Sequence, residues 1–207
     1  MANQPEQGMK EDLSALAWVS DEVRRSLEAA LTALRRCLKE VESAGASDLS
    51  TVDPSGLWIE LIGADDDRAP WTGNGVGAAQ ASRGIHSVTM VVHAAGPTVD
   101  LMTGVLGYRV VARDGNRTRL SAGRPVAGHF IDVVEDPNAP VAVNGLGTVH
   151  HVAMAIATPE EQVRLRDDLL ERGLRVTEVR DRCYFQSIYF REPGNVLFEV
   201  ATIAPGF

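Results

Sequence analysis

Residues 149–173, "VHHVAMAIATPEEQVRLRDDLLERG", contain a strand pattern followed by a helix pattern, and this order predicts the architecture of the chain. Residues 149–157 are an apolar run of strand length, and residues 158–173 follow as a helix with a marked start and stop. The marks are Thr158 as N-cap, Pro159 at the first helical position, Glu161 completing a capping box, and Gly173 as the stop. Three more strand patterns follow, at 174–181, 185–194 and 195–202.

The same order of strand, helix and three strands occurs once before in the chain. It comprises a strand at 84–94, a helix at 96–108, a hairpin around the turn Asp114–Gly115, and a strand at 128–136. A repeated unit in the sequence indicates an architecture built from copies of one structural module. We therefore predict an α+β fold built from tandem βαβββ modules at 84–135 and 147–203.

The N-terminal part of the chain resembles a damaged copy of this unit. Residues 12–63 contain a strand pattern, a long amphipathic helix at 21–42, and a strand after the turn at 53–56. The stretch between Gly45 and Asp53 is too short for two further strands. We predict a degenerate module at 12–63, preceded by a disordered tail at 1–11 and followed by a Gly-, Ala- and Asp-rich linker at 64–83.

Composition excludes several classes of function. The 207 residues are 44% hydrophobic and 23% charged, with a net charge of −8, so the basic surface of a nucleic-acid-binding protein is absent. No apolar stretch approaches the ~20 residues that span a membrane. The N-terminus has no secretory pattern, and Cys37 and Cys183 have neither zinc-site nor disulfide-framework spacing, so we expect a cytoplasmic protein with free thiols.

The histidine doublet and one acidic residue are the candidate functional groups. His150 and His151 open the strand at 149–157, and neighbours in a strand point to opposite faces, so we expect one ring on each face. Both could be ordinary strand-end histidines with hydrogen-bond partners. Glu199 lies in the apolar strand "VLFEVAT" and needs a partner, which could be an arginine or a metal ion. Tyr184, Phe185 and Tyr189 could be core aromatics.

Tandem βαβββ modules resemble the vicinal oxygen chelate superfamily of glyoxalases, bleomycin-resistance proteins and extradiol dioxygenases. Two groups of motifs are similar to the dioxygenases that cleave hydroquinone rings. They are "GLWIELIG…DDDRAPWTG…ASRGIHSVTM" and "GTVHHVAMAIATPEEQ…DRCYFQSIYFREPGNVLFEVAT…GF". The resemblance covers residue 50 to the end. It implies four modules with curled mixed sheets and a metal between the first and last, held by two histidines and a glutamate.

Carried onto this sequence, the resemblance implies His151 and Glu199 as metal ligands. It also implies His150 as an acid–base group, and Arg182 and Tyr189 beside the substrate ring. Imidazole and carboxylate ligands with open positions suit non-haem Fe(II), and Mn(II) is possible. A histidine and a tyrosine can take a substrate proton, and an arginine can hold a phenolate.

The third ligand is absent from the matching positions of this chain. His86 matches the first histidine of the doublet, so Ser87 occupies the ligand position, while Asp132 and Glu60 occupy the positions of the glutamate. The remaining histidines, His93 and His129, match no ligand. A second copy or a partner subunit could supply the ligand, the modules could pair differently, or metal binding could be lost.

We therefore expect a Fe(II)-dependent ring-cleaving dioxygenase of hydroquinone- or catechol-like aromatics, or one subunit of it that lacks the first module. Its partners would be a small aromatic substrate, dioxygen, and a second copy or a partner subunit. The alternative is a metal-free small-molecule-binding protein of the bleomycin-resistance type.

Overall fold

The computed structural model describes residues 48–73, 75–140 and 145–206. The predicted strand at 12–20, the helix at 21–42 and the tail lie outside the described residues. The chain divides into two compact units, one of Met1–Ile85 with Gly145–Thr148 and one of His86–Asn144 with Val149–Phe207.

The described part of the first unit contains one antiparallel hairpin. It consists of β1 (Asp48–Val52) and β2 (Trp58–Ile62), with Val52 opposite Trp58. The turn is closed by Asp53, whose Oδ1 accepts the backbone N–H groups of Ser55 (2.8 Å) and Leu57 (2.9 Å). The sequence predicted the turn and β2 but missed β1, because "DLSTV" has too few apolar residues to reveal a strand period. The described part of 64–83 contains only an isolated bridge between Gly73 and Val76.

The second unit contains two four-stranded sheets, each with one helix. The first sheet and its helix comprise, in chain order, β3 (Ser87–Val92), α1 (Ala95–Gly104), β4 (Tyr108–Asp114), β5 (Arg117–Ala122) and β6 (Phe130–Glu135). The second sheet and its helix comprise, in chain order, β7 (Val152–Ile156), α2 (Pro159–Glu171), β8 (Arg180–Asp181), β9 (Gln186–Arg191) and β10 (Leu197–Thr202). The strand orders are β3-β6-β5-β4 and β7-β10-β9-β8, so the two sheets have the same topology.

This topology confirms the predicted α+β fold with a repeated βαβββ order. In each sheet the first strand pairs in parallel with the last, and the other pairs are antiparallel. Helix α2 begins as predicted, because Oγ1 of Thr158 accepts the N–H of Glu161 (3.2 Å). Helix α1 is capped from β6 instead: the N–H of Ala95 donates to Oε2 of Glu135 (2.8 Å).

The strand predicted at 174–181 is shorter than expected. Only Arg180–Asp181 forms β8, and Val176 makes an isolated bridge with Phe190. Between them, Oγ1 of Thr177 accepts the backbone N–H of Tyr189 (3.0 Å). A side-chain acceptor at this point replaces a backbone carbonyl and interrupts the ladder.

Both sheets contribute to one apolar core, and this positions Glu199. On β10, Phe198 and Val200 are buried in that core at 0% and 3% exposure. Because side chains alternate along a strand, Glu199 lies on the other face of the same sheet. No helix in the described ranges is long and apolar enough to cross a membrane.

Candidate metal centre

A polar cluster surrounds the carboxylate of Glu199, which is only 5% exposed. Its Oε1 accepts hydrogen bonds from Oγ of Ser187 (2.5 Å) and from the hydroxyl of Tyr189 (2.6 Å). Its Oε2 lies 2.7 Å from Nε2 of His151. With His150 and Arg182, these residues are called the Glu199 cluster below.

Strand register explains why these side chains meet. Tyr189 lies directly opposite Glu199 in the β9–β10 pair, and Ser187 lies two residues earlier on the same face of β9. On the other side of β10, Ala153 of β7 is the register partner of Glu199. His151 comes two residues before Ala153 and reaches the same carboxylate.

The two histidines contact each other, which contradicts the expectation that they face opposite sides of the sheet. Their Nδ1 atoms are 2.8 Å apart, and the rings meet edge to face with centroids 5.1 Å apart. Alternation does not apply to them because β7 begins only at Val152. One Nδ1 donates and the other accepts, so each ring constrains the tautomer of the other.

Two arginines lie against the tyrosine of the cluster. The Nη2 of Arg182 donates to the hydroxyl oxygen of Tyr189 (3.2 Å), and its Cζ lies 5.4 Å from the ring centroid. The Cζ of Arg180 lies 5.9 Å from the same centroid. Arg182 sits on a turn in which Cys183 has a φ of 67° and its N–H donates to Oδ1 of Asp181 (2.8 Å).

The cluster keeps the Glu199 carboxylate ionised. Burial alone would raise the pKa of Glu199, but this effect is outweighed by the hydrogen bonds from Ser187 and Tyr189. The charges of His151 and Arg182 act in the same direction, so the pKa lies below its ordinary value. An ionised carboxylate beside an imidazole nitrogen is an attractive donor pair for a divalent cation.

The donor pair of His151 and Glu199 fits a metal ion. Two ligands at right angles, each ~2.1 Å from one metal, lie about 3.0 Å apart. The 2.7 Å between His151 Nε2 and Glu199 Oε2 would need to widen by only a few tenths of an ångström. Among the described residues, no group of three or more His, Cys, Asp or Glu side chains is arranged to hold a metal ion.

The other three histidines considered in the sequence analysis lie outside the cluster and have hydrogen-bond partners. Nδ1 of His86 pairs with Oγ of Ser87 (3.1 Å), Nε2 of His93 with the carbonyl of Ala139 (2.7 Å), and Nδ1 of His129 with the carbonyl of Arg124 (3.2 Å). Glu60 is exposed on β2.

The first sheet has a buried carboxylate at the corresponding position. Asp132 pairs with Thr89 of β3 and Arg119 of β5, as Glu199 pairs with Ala153 of β7 and Tyr189 of β9. Its Oδ1 accepts from Nε of Arg119 (2.7 Å), and its Oδ2 accepts from Nη1 of Arg117 (2.9 Å). We call these three residues the Asp132 cluster. Here two cations satisfy the carboxylate, whereas hydroxyl groups and imidazole satisfy Glu199.

The structure brings together all five residues that the resemblance implied, and it places Ser187 and Arg180 beside them. Ser187 was missed because a serine in a strand is unremarkable until its neighbour across the ladder is known. Its position two residues before Tyr189 was the available signal, because it implies a shared face. Arg180 likewise lies two residues before Arg182.

The chain resembles dioxygenases in comparisons with known proteins. Residues 84–200 match the model of the Glyoxalase/Bleomycin resistance protein/Dioxygenase superfamily. The chain is 34% identical to the "Putative ring-cleaving dioxygenase MhqO" of Bacillus subtilis, over 81% of this chain and 54% of that protein. It is 35% identical to the chlorohydroquinone/hydroquinone 1,2-dioxygenase of Sphingobium indicum, over 80% of this chain and 53% of that protein.

A solved structure shares the fold over most of the chain. It is the crystal structure of a "putative dioxygenase" from Bacillus subtilis, with a TM-score of 0.68 and 30% identity. The alignment covers 84% of this chain and 59% of that one. The chain spans about half the length of the curated relatives it matches.

Proposed function

The chain belongs to the glyoxalase/bleomycin resistance protein/dioxygenase superfamily, and we propose that it is part of an extradiol-type dioxygenase that cleaves hydroquinone- or catechol-like rings. The observation that carries the proposal is the donor pair of His151 Nε2 and Glu199 Oε2, 2.7 Å apart. The pair is surrounded by groups that can bind a phenol and accept its proton. The names of the relatives support the same reaction class.

We propose His151 and Glu199 as ligands of Fe(II), with Mn(II) as the other metal that suits this donor set. When bound, Fe(II) would supply open coordination positions and the one-electron chemistry that dioxygen requires. The described residues contribute two ligands, and we propose that the third comes from a second copy of this chain or from a partner subunit. A homodimer is the simpler arrangement.

The remaining groups of the cluster would bind and deprotonate the substrate. His150 is exposed, and its Nδ1 lies 2.8 Å from Nδ1 of His151, so we assign it as the candidate base for a ring hydroxyl. Arg182 would hold the resulting phenolate oxygen. Tyr189 already donates its hydroxyl proton to Glu199, so we assign it to holding the ligand and Arg182 rather than to taking a proton.

We also propose a cytoplasmic location. Cys183 is exposed and free, which suits a reducing compartment.

Metal content tests the proposal directly. The protein would be purified without oxygen, reconstituted with Fe(II), and measured for iron per chain and for mass in solution. We expect about one iron per chain in a dimer, and dioxygen uptake with hydroquinone. We expect His151→Ala and Glu199→Ala to lose the iron, whereas Asp132→Asn, the matched change in the first sheet, should keep it.

Two results would contradict the proposal. Unchanged iron stoichiometry in both the His151→Ala and the Glu199→Ala proteins would remove the assigned ligands. A wild-type protein that takes up no iron would contradict a homodimeric metal site, and would leave either a partner subunit as the source of the third ligand or the alternative, a metal-free protein that binds a small molecule.

A further inference from the structure

The two oxygens of the Glu199 carboxylate have different partners. Oε1 accepts two hydroxyl groups, from Ser187 at 2.5 Å and Tyr189 at 2.6 Å. Oε2 lies 2.7 Å from the imidazole Nε2 of His151. One oxygen of the carboxylate is therefore bound by two hydroxyl groups, and the other faces the imidazole of His151.

The first sheet uses the same two strand positions for a different purpose. Ser187 pairs with Ala201, two residues after Glu199, and Arg117 pairs with Val134, two residues after Asp132. Both Arg117 and Arg119 bind Asp132, which is fully buried. The positions of Ser187 and Tyr189 on β9 are thus occupied by Arg117 and Arg119 on β5.

The chemical difference between these pairs decides what each carboxylate can bind. Two guanidinium groups compensate the charge of Asp132, so a metal ion would meet a carboxylate that is already neutralised. Neutral hydroxyl groups orient Glu199 without cancelling its charge. The position of His151 is correspondingly filled by Ser87 in the first sheet, two residues before the register partner of the carboxylate.

We propose that Ser187 is a positioning residue that, together with Tyr189, holds Oε1 of Glu199 so that the carboxylate binds its metal through Oε2 alone. The inference rests on the proposed function, because it assumes that Glu199 is a metal ligand. It adds a residue that the resemblance did not imply. Hydrogen-bond partners of metal ligands typically contribute ten- to hundredfold in metal affinity.

Cobalt(II) is the probe for this inference, because its visible absorption reports ligand number without any turnover. The full-length protein would be titrated anaerobically with Co(II), alone and as Ser187→Ala, Ser187→Thr and Ser187→Ala/Tyr189→Phe variants. We expect Ser187→Ala to weaken Co(II) affinity by about tenfold, and Ser187→Thr to restore it because the hydroxyl returns. In the double variant Oε1 is free to join Oε2, so the absorption per bound Co(II) should fall as the ligand number rises.

Arg117→Met is the matched control, since it removes a carboxylate partner at the corresponding position of the first sheet. It should leave Co(II) affinity and absorption at the wild-type level. Thermal unfolding of each metal-free variant would establish that all of them are folded.

Each outcome decides between the inference and the function on which it rests. A wild-type protein that binds Co(II), with Ser187→Ala equal to it, overturns the role of Ser187 and leaves the metal site standing. Weaker affinity with unchanged absorption in the double variant also overturns it, because the two hydroxyl groups would then not control how many carboxylate oxygens bind the metal. A wild-type protein that binds no Co(II) overturns the proposed metal site, and the inference with it.

Discussion

At the scale of single residues, the hydroxyl group of Tyr189 joins the parts of the Glu199 cluster. It donates to Glu199 (2.6 Å) and accepts from Arg182 (3.2 Å), while the ring lies edge to face with His151 at 6.1 Å between centroids. One oxygen thus connects a proposed metal ligand to a proposed substrate-binding cation. Removing only this oxygen should lower activity while the tyrosine ring and its packing remain.

Tyr189→Phe should lower kcat/KM for hydroquinone by about tenfold to a hundredfold, because Glu199 and Arg182 each lose a fixed partner. Most of the loss should be in kcat, since the ring and its packing remain. Steady-state dioxygen uptake by the iron-loaded protein measures both constants. Tyr108→Phe, which changes a buried tyrosine on β4 outside the cluster, is the control. Equal losses in the two variants would argue against this role.

The histidine doublet shows the limit of sequence reasoning at this scale. The residue types of His150 and His151 indicated a functional site, but their alternation was predicted wrongly because the strand was expected at 149–157, whereas β7 begins at Val152. Strand boundaries are the least certain part of a pattern-based prediction, and a shift of a few residues changes which side chains meet.

At the scale of secondary-structure elements, a buried ion cluster joins β5 to β6. Asp132 is fully buried, and burial alone would raise its pKa. The hydrogen bonds and charges of Arg119 and Arg117 outweigh this effect and hold the pKa of Asp132 below its ordinary value. The folded state therefore favours the ionised form more strongly than the unfolded state does.

Asp132→Asn should lower the free energy of unfolding by about 2 kcal/mol near neutral pH, since two charged hydrogen-bond partners lose their anion. The unfolded pKa of Asp is about 4, so the contribution of the carboxylate is complete above that pH and is lost as the pH falls through the folded pKa. Urea unfolding from about pH 7 to about pH 3 should therefore show the gap between the two proteins narrowing at the acid end.

Asp100→Asn, on the exposed face of α1, is the control for this series and should stay close to wild type at every pH. A gap for Asp132→Asn that does not depend on pH would mean that packing, and not the ion cluster, explains its cost.

Helix α2 is tied to the strands of the Glu199 cluster by one buried amide. Nε2 of Gln162 donates to the carbonyl oxygens of Gln186 (2.9 Å) and Val200 (2.8 Å), which adjoin Ser187 and Glu199 in sequence. Its Oε1 has no hydrogen-bond partner among the described residues. This single side chain therefore joins one helix to two strands.

Gln162→Met should lower the free energy of unfolding by about 2 kcal/mol, because it removes two hydrogen bonds and keeps the side-chain length. Denaturant unfolding measures this loss. Glu160→Ala, an exposed change in the first turn of α2, should cost about 0.5 kcal/mol. If the Gln162→Met protein were no less stable than the Glu160→Ala protein, the amide would not be what holds α2 to the sheet.

At the scale of the whole molecule, the repeated order of elements was predictable because it depends on local signals. Apolar periodicity, the Thr158 cap and the Asp114–Gly115 turn each lie within a few residues of the structure they specify. The partners of Asp132 and Glu199 come from other strands, and only the register brings them together. The part of β8 that was over-predicted depends on the Thr177 hydroxyl, which no apolar pattern reveals.

The two sheets also meet at one close contact, where the turn between β9 and β10 reaches the first sheet and its helix. Glu192 in this turn is 2% exposed, and its Oε2 accepts from the hydroxyl of Thr98 on α1 (2.6 Å) and from the N–H of Gly194 (2.8 Å). A Cβ on Gly194 would overlap the side chain of Val92 and lie 2.7 Å from Oε1 of Glu192. A residue without a side chain is needed where two repeated units pack against each other.

Gly194→Ala should therefore lower the free energy of unfolding by about 1–3 kcal/mol, the usual cost of forcing an extra methyl group into a packed interior. Gly104→Ala, at the end of α1, is the matched control, because a Cβ there would meet no heavy atom within 4 Å apart from its chain neighbours and the backbone of its own helix. That variant should be as stable as wild type or gain up to about 1 kcal/mol of helix propensity. Denaturant unfolding of both variants decides the matter. Equal stability of the Gly194→Ala and wild-type proteins would mean that the turn does not pack against Val92 in solution, and that the two sheets are joined by less than the shared core indicates.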